Sequence, residues 1–433
     1  MHPNHHKFGV TTIDAALLEQ VNAMALDDIN VADPALFKSN TVWPYFARLR
    51  REDPIHFCKD SLFGPYWSIT RYEDIMAIEK NHKVFSSDTA NGGITIEDGN
   101  LGLDVEMFIA MDPPKHDEQR KAVRPIVSPQ NLALLEETIR TRSKKILSEL
   151  PIGETFDVVE RVSIELTTQM LATLFDFPWD DRRKLTHWSD VATSVPGAAD
   201  YVSEEYRTAE LGECLAYFTR LWNERVNAEP GPDLISMLAH DDATRHMTPK
   251  QYLGNLILLI VGGNDTTRNT MSGSILALNQ NPEQYQLLCD HPELVSSMVP
   301  ELIRWQTPLA SMRRTAVEDF EIGGKLIHKG DKVVLWYASA NLDSDSIDHP
   351  EQFIINRKRP RQHISFGFGI HRCVGNRLAE MQLRVVWEEA LKKWPRPCVE
   401  VMGEPDRSYS VILRGYNSLP IRINEAPVDA GSH

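Results

Sequence analysis

The sequence predicts a mainly α-helical fold with a small β-rich region, an α+β arrangement. Apolar residues recur at helical spacing over residues 132–147, 158–174 and 204–226, which indicates a bundle of amphipathic helices. A further helix is predicted to begin at Thr248, whose hydroxyl can cap it, and to run to about Asn279, a length of roughly 45 Å. Strand-like runs, in contrast, are short.

Five runs of apolar and β-branched residues, bounded by turn residues, are predicted as β structure: 55–58, 66–70, 318–327, 332–338 and 409–423. The first two are joined through a Gly-Pro turn and are expected to pair as a hairpin. The last run is expected to form a hairpin by itself, with its turn near Gly415.

Two long segments lack a regular period. Residues 85–108, rich in Gly, Asn and Asp, are predicted to be a lid or binding loop. Residues 175–201 are predicted to be loop-rich. Their aromatic side chains either line a substrate entrance or, in the favoured interpretation, belong to the core.

Composition indicates one globular domain. No linker divides the 433 residues, so residues 1–433 are predicted to form a single domain, with residues 1–25 as a flexible tail. Five scattered cysteines argue against disulfides and for a reducing compartment. The start of the chain has no apolar run long enough for a signal peptide or membrane anchor, so a cytoplasmic location is expected.

The net charge of −15 argues against a nucleic-acid partner, because such proteins need a basic surface to neutralise phosphates. Residues 357–384 depart from this acidic balance, because Glu380 is the only acid among them. The basic residues of this stretch are Arg357, Lys358, Arg359, Arg361, Arg372, Arg377 and Arg384. This basic stretch either docks an acidic protein partner or is an ordinary solvated face, and charge alone leaves both open.

Cys373 stands between a glycine-rich turn and a run with helical spacing, so its thiol is predicted to lie just before a helix. There the helix dipole, together with His371 and Arg372, favours the thiolate. No CxxC partner or zinc-type ligand set is nearby, which leaves a nucleophile or a single axial ligand to a metal held by something else. The alternative for a lone cysteine is a buried structural side chain.

The residues around Cys373 favour a planar metal cofactor. Phe366 offers a flat apolar wall, and Gly369 and Gly375 let the backbone approach a flat group where a Cβ would clash. The pattern Phe366-x-x-Gly369-x-His371-x-Cys373-x-Gly375 resembles the haem-binding loop of the cytochrome P450 monooxygenases, with histidine where many members have arginine. The resemblance implies the cytochrome P450 fold, heme b as cofactor and Cys373 as proximal iron ligand.

The same resemblance implies further cofactor contacts. His116 and Arg120 lie four residues apart on a predicted helix, and in the family these two positions hold a haem propionate. Arg314 corresponds to another propionate ligand of the family, with Arg313 as the neighbouring alternative.

The long predicted helix contains Gly262 and Gly263, each of which costs about 1 kcal/mol relative to alanine. Gly262 and Thr266 share one face, so room for a small ligand would lie one turn before a hydroxyl, with Asp265 as a neighbouring proton relay. This segment resembles the oxygen-activation segment of the family, in which such an acid–alcohol pair is catalytic. The alternative is a glycine notch for helix packing, with the threonine hydroxyl bonded back to the chain.

Glu301 and Arg304 form a Glu-x-x-Arg element, which resembles the family element that braces the proximal core. In the family a later Pro-Glu-Arg-Phe segment supplies an arginine to this pair. Here that segment has Gln352 in the arginine position, and Arg357 is the candidate substitute.

The reaction implied is insertion of one oxygen atom from O2 into a C–H bond, with electrons from a ferredoxin and its NAD(P)H-dependent reductase. Residues 302–310 and 366–373 are similar to the bacterial branch that hydroxylates alkanes and fatty acids at the chain end. The predicted pocket residues are uncharged: Leu258, Val261, Gly262, Leu309 and Leu413. The alternatives are a terpenoid or steroid monooxygenase, and a haem-thiolate protein that binds a ligand without turnover.

Overall fold

The computed structural model describes residues 5–8, 11–98 and 103–425. Its α-helices are α1 (Ala15–Ala23), α2 (Pro34–Lys38), α3 (Trp43–Glu52), α4 (Tyr72–Lys80), α5 (Lys115–Val123), α6 (Pro129–Ser148), α7 (Glu165–Leu174), α8 (Arg183–Ala192), α9 (Glu204–Arg225), α10 (Leu234–His240), α11 (Pro249–Gln280), α12 (Pro282–Asp290), α13 (Val295–Gln306), α14 (Tyr337–Ala340) and α15 (Asn376–Lys393). Helices dominate the described chain, as predicted.

The strands are short and fall into small sheets. They are β1 (His5–Phe8), β2 (Thr11–Asp14), β3 (Ile55–Cys58), β4 (Tyr66–Ile69), β5 (Phe85–Ser86), β6 (Thr155–Asp157), β7 (Met312–Ala316), β8 (Phe320–Ile322), β9 (Lys325–Ile327), β10 (Lys332–Leu335), β11 (Val399–Val401), β12 (Asp406–Arg407), β13 (Tyr416–Ser418) and β14 (Pro420–Ile423). The largest sheet has the order β3-β4-β10-β7-β5, in which β4 and β10 are parallel and the other neighbours antiparallel.

The predicted hairpin of 55–58 and 66–70 is confirmed by the antiparallel pair β3–β4. The predicted hairpin over 409–423 is wrong. Within that range β13 pairs with β12, and β14 lies between β11 and β6. The partners of the last strand therefore come from distant parts of the sequence, which local turn residues cannot specify.

The described chain folds into two compact units. Unit 1 takes its described residues from Met1–Asp98, Gly273–Cys373 and Pro405–Asn417, and unit 2 from Gly99–Ser272, Val374–Glu404 and Ser418–His433. Unit 1 contains the largest sheet, with a core that includes Phe46 and Trp336. The core of unit 2 is built from helices and includes Phe175, Trp188 and Phe218.

Part of the predicted flexible tail is instead folded in unit 1. The buried Arg48 of α3 donates a hydrogen bond to the carbonyl oxygen of Met24 at 2.6 Å and another to that of Val21, which itself is buried on α1. The tail prediction therefore fails for residues 15–24. Residues 1–4, 9 and 10 lie outside the described chain.

Two loop predictions have different outcomes. Residues 85–98 and 103–108 contain β5 and only short 3-10 turns, and residues 99–102 of the same predicted loop lie outside the described chain. The segment 175–201 contains α8, which was not predicted. Trp188 of this segment belongs to the core, as the favoured interpretation expected, whereas Trp179 is 46% exposed.

The long helix begins as predicted. The Thr248 hydroxyl accepts from the amide of Gln251 at 3.3 Å, and the Gln251 side chain accepts from the amide of Thr248 at 3.0 Å. This reciprocal pair is a capping box. The helix then runs to Gln280, which at 1.5 Å per residue is about 48 Å.

Candidate functional site

Cys373 lies in a turn of unit 1 whose shape is set by left-handed glycines. Gly367 and Gly369 both have φ of 68°, a conformation that favours glycine. The amide of Cys373 donates to the carbonyl oxygen of Phe366 at 2.8 Å, which closes the turn. Cys373 is exposed, whereas the other four cysteines are buried. The alternative of a buried structural cysteine is therefore wrong for this residue.

Gly369 is required by close packing within unit 1. A Cβ at this position would lie 2.5 Å from the carbonyl oxygen of Glu79 on α4. The sequence suggested room for a planar group, and the structure adds contact with α4 as a second reason for glycine. Gly375 is the N-cap of α15, so Cys373 stands just before a helix, as predicted.

Glu79 is a buried acid that sequence analysis missed. It accepts from Arg314 Nη2 at 3.0 Å, from the Tyr337 hydroxyl and from the amide of Phe368 in the cysteine turn. Burial raises the pKa of Glu79, and the charge of Arg314 opposes that shift. A sequence signal for its burial was present, because Glu79 follows the buried Ile75 by four residues on the same face of α4.

Arg313, the alternative to Arg314 as a propionate ligand, pairs with Asp98 at 2.6 Å.

Glu301 is the centre of a buried charge network in unit 1. Its carboxylate accepts from Arg304 Nη2 at 2.7 Å and Nε at 2.8 Å. It also accepts from Arg357 Nε at 2.9 Å and Nη2 at 3.1 Å. Arg357 therefore takes the place of the arginine missing at position 352, and the amide of Ile354 adds a fifth bond at 2.9 Å.

Leu309 and Leu413 meet in unit 1. They form an isolated antiparallel bridge, supported by the Ala310 amide bonding to the Ile412 carbonyl oxygen at 2.7 Å. This pairing places the two residues predicted as pocket walls side by side.

One face of α11 in unit 2 carries Leu258, Gly262 and Thr266 at intervals of four residues. A Cβ built on Gly262 meets no atom within 4 Å, whereas one on Gly263 would lie 2.8 Å from Leu171 Cδ2. Gly262 thus borders open space, and Gly263 is a packing notch against α7. The Thr266 hydroxyl donates to the Gly262 carbonyl oxygen at 3.0 Å, as the packing alternative expected.

Val261 lies off this face. It packs against an apolar cluster that includes Val191 of α8, Leu211 of α9 and Ile257.

Asp265 is completely buried and held by a small polar network in unit 2. Arg268 lies 2.6 Å from one carboxylate oxygen, and the Ser189 hydroxyl donates to the other at 2.7 Å. Arg268 also pairs with the half-exposed Asp190 at 2.8 Å. Burial raises the pKa of Asp265, while Arg268 opposes that shift. Arg268 could have been found as an i,i+3 partner, but Ser189 could not, because α8 was not predicted.

His116 and Arg120 lie four residues apart on α5 in unit 2. The His116 ring is buried, and its Nδ1 is 2.8 Å from Asp117. Burial lowers the pKa of His116, and the bond to Asp117 opposes that shift. Arg120 is partly exposed.

The donor set around Cys373 fits a metal held mainly by its own cofactor. No group of three or more His, Cys, Asp or Glu side chains within the described residues could hold a metal ion. A single exposed thiol can contribute one ligand to a metal. That is enough for a haem iron, because the porphyrin would supply the equatorial ligands.

Comparison with known proteins settles the family. The family model for cytochrome P450 matches residues 222–396. A linalool 8-monooxygenase of Pseudomonas putida is 37% identical over 401 residues, which cover 90% of this chain and 98% of that protein. The chain belongs to the cytochrome P450 family. It is accordingly a haem-dependent monooxygenase that uses heme b, O2 and a redox partner, and the alternative of a ligand-binding protein without turnover is wrong.

Two further relatives extend the comparison. The structure of CYP153D17 from a Sphingomonas species is 45% identical, with a TM-score of 0.85, and covers 93% of this chain and 100% of that one. A steroid C26-monooxygenase of Mycolicibacterium smegmatis is 32% identical and covers 85% of this chain and 87% of that protein. The predicted cytochrome P450 fold is thereby confirmed.

The basic stretch of this cytochrome P450 is smaller than its sequence suggests. Arg357 is used by the Glu301 network, and Arg384 of α15 is paired with Glu136 and Glu388, each at 2.8 Å. Lys358, Arg359, Arg361 and Arg372 of this stretch are exposed in unit 1, and Arg359 lies 3.8 Å from Asp348. None of the described helices has the length and apolar character needed to cross a bilayer.

Proposed function

We propose that this cytochrome P450 hydroxylates the terminal methyl group of an apolar aliphatic chain, with alkanes and fatty acids as the first substrate class. The observation that carries the proposal is the uncharged face of α11, where Leu258 and Gly262 precede Thr266 and Gly262 borders open space. Leu258 and Gly262 are proposed to contact the substrate, and Leu309 and Leu413, which pair with each other in unit 1, remain predicted substrate contacts. Side chains of this kind bind hydrocarbon without any polar group to retain a functionalised end.

The cofactor is proposed to be held from several segments. The Cys373 thiolate would ligate the haem iron, in a turn completed by Phe366, Gly369 and His371, with Gly375 at the start of the following helix. His116 and Arg120 are proposed as ligands of one propionate. Arg314 is proposed as a ligand of the other, and its bond to Glu79 fixes the orientation of its guanidinium.

Asp265 and Thr266 are proposed to deliver protons. When bound, haem with a thiolate ligand would supply the activation of dioxygen that these residues serve. A carboxyl whose pKa is raised by burial holds its proton at higher pH than an exposed aspartate, which suits a relay. The Thr266 hydroxyl can donate to a bound ligand by rotating away from the Gly262 carbonyl oxygen.

The names of two relatives support attack at a chain end and favour a second substrate class. Carbon 8 of linalool and carbon 26 of a steroid are both methyl groups at the end of a branched chain. A terpenoid or steroid side chain is therefore the second candidate. The common element is a terminal methyl group presented to the site, not the identity of the rest of the molecule.

Electrons are proposed to come from a ferredoxin and its NAD(P)H-dependent reductase. The exposed basic residues Lys358, Arg359, Arg361 and Arg372 in unit 1 would attract an acidic protein. Attraction of this kind mainly increases the association rate and weakens with salt.

The test is a binding screen followed by product analysis. Octane, dodecanoic acid, linalool and a steroid with an intact side chain are titrated into the holoenzyme, and the shift of the haem absorbance on water displacement is recorded. Binders are then incubated with a surrogate ferredoxin, reductase and NADH. Terminal alcohols from octane or dodecanoic acid support the first class, and oxidation of linalool or the steroid alone supports the second. Products hydroxylated only at internal carbons would refute both.

A further inference from the structure

A surface groove in unit 2 has no part in the proposed reaction. Its volume is about 540 Å³, within the range of about 300–1,000 Å³ typical of small-molecule sites. Its walls come from α6, α7, α9 and the segment after α7, and they include Ala172, Phe177, Pro178 and Leu221. None of the predicted cofactor or substrate residues lines it.

Arg142 of α6 is a cation that lines this groove and bonds to a carbonyl oxygen rather than to a carboxylate. It is partly buried and donates from Nη1 to the carbonyl oxygen of Gln169 at 2.6 Å, and its guanidinium carbon lies 5.0 Å from the centre of the Trp179 ring. Within the described residues no carboxylate pairs with it. Partly buried charges are normally paired with an opposite charge, so an anion bound beside this guanidinium would be favourable.

The other charged groups near the groove already have partners. Arg225 pairs with Asp176 at 2.6 Å and with Glu224 at 3.4 Å. Arg182, which lies 4.7 Å from the Trp179 ring centre, pairs with Glu165 at 3.3 Å. The two acids that line the groove, Asp176 and Glu224, therefore pair with Arg225 and not with Arg142.

We propose that this groove is a second small-molecule site, which binds a carboxylate attached to a short apolar body. The carboxylate would bond to the guanidinium of Arg142, and the apolar body would lie against Phe177, Pro178 and Leu221. Burial and the neighbouring Arg182 lower the pKa of Arg142, as expected for a cation without an anion beside it.

The test uses the holoenzyme saturated with imidazole, so that the haem iron site is already occupied. Binding of sodium octanoate is measured by calorimetry, with octan-1-ol as the uncharged comparison. We expect one octanoate per chain and weaker binding of the alcohol. Arg142→Met should weaken octanoate binding by about tenfold, the effect of losing one charge-assisted hydrogen bond.

The control is Arg220→Met on α9, because Arg220 lies 4.4 Å from the Tyr217 ring centre and does not line the groove. It should bind octanoate as the wild type does. Thr173→Trp fills the groove and leaves Arg142 in place, so it should abolish octanoate binding. The proposal is overturned if the imidazole-saturated wild type binds no octanoate, if octan-1-ol binds equally well, or if Arg142→Met and Thr173→Trp both retain wild-type affinity.

Discussion

Replacing Glu301 by glutamine should destabilise the protein more than replacing its partner Arg357. Glu301 is completely buried, and its carboxylate is shared by the guanidinium groups of Arg304 and Arg357. The four contacts are 2.7–3.1 Å long. Glutamine has almost the same shape. It removes the negative charge and presents an NH2 donor to guanidinium donors, so two buried cations would face each other without compensation.

The expected magnitude follows from the charges that remain. In Glu301→Gln both arginines lose their counter-ion, and breaking a buried pair in this way costs about 3–5 kcal/mol. In Arg357→Gln the pair Glu301–Arg304 stays intact, and the loss is that of charge-assisted hydrogen bonds at a partly exposed position, about 1.5–3 kcal/mol. The acid variant should therefore be the less stable of the two.

The measurement is urea unfolding of the purified variants, followed by far-ultraviolet circular dichroism and by haem absorbance. Glu293→Gln is the matched control, because Glu293 is 71% exposed and pairs with the exposed His291. Its unfolding midpoint should equal that of the wild type. A Glu301→Gln variant as stable as Arg357→Gln would refute the idea that charge compensation, rather than shape, is the function of Glu301.

Three further outcomes are expected. Thr266→Ala should bind haem normally but release several-fold more peroxide per NADH consumed, whereas Thr266→Ser should behave like the wild type. An unchanged peroxide yield in the alanine variant would contradict the role of Thr266 in proton delivery. Gly262→Ala should raise the free energy of unfolding by up to about 1 kcal/mol and weaken substrate binding, because its Cβ enters the open space on α11; equal substrate affinity would contradict that placement. Burial lowers the pKa of His363 to about 3, below its unfolded value of about 6.5, so below pH 6.5 the unfolded chain takes up a proton that the folded chain does not. The stability lost between pH 7 and pH 5 should thus be smaller in His363→Gln by about 2 kcal/mol, and equal losses in the two proteins would contradict a neutral ring in the folded protein.

The sequence was informative wherever a local pattern carries its own physical cause. The capping residues Thr248 and Gln251 predicted the start of α11, and the helical spacing after Cys373 predicted α15. The substitution of Arg357 for the arginine missing at position 352 could be anticipated because few arginines were near enough in sequence.

Long-range pairing explains the remaining differences. The strand β14 lies between β6 and β11, and no local turn specifies partners so far away. The buried role of Glu79 depends on an amide of the cysteine turn that stands 289 residues later. Among local signals, Leu185, Trp188 and Val191 do have helical spacing in α8, but the surrounding turn residues favoured a loop.

The position of Arg357 has a practical consequence for finding proteins of this kind. A sequence profile that demands arginine immediately before Phe353 would penalise this chain, although a guanidinium reaches Glu301 from five residues beyond that position. A guanidinium delivered from a neighbouring turn satisfies the same geometric requirement. A search that accepts an arginine up to five residues beyond that position would recover such chains, and it would distinguish a relocated charge from a lost one.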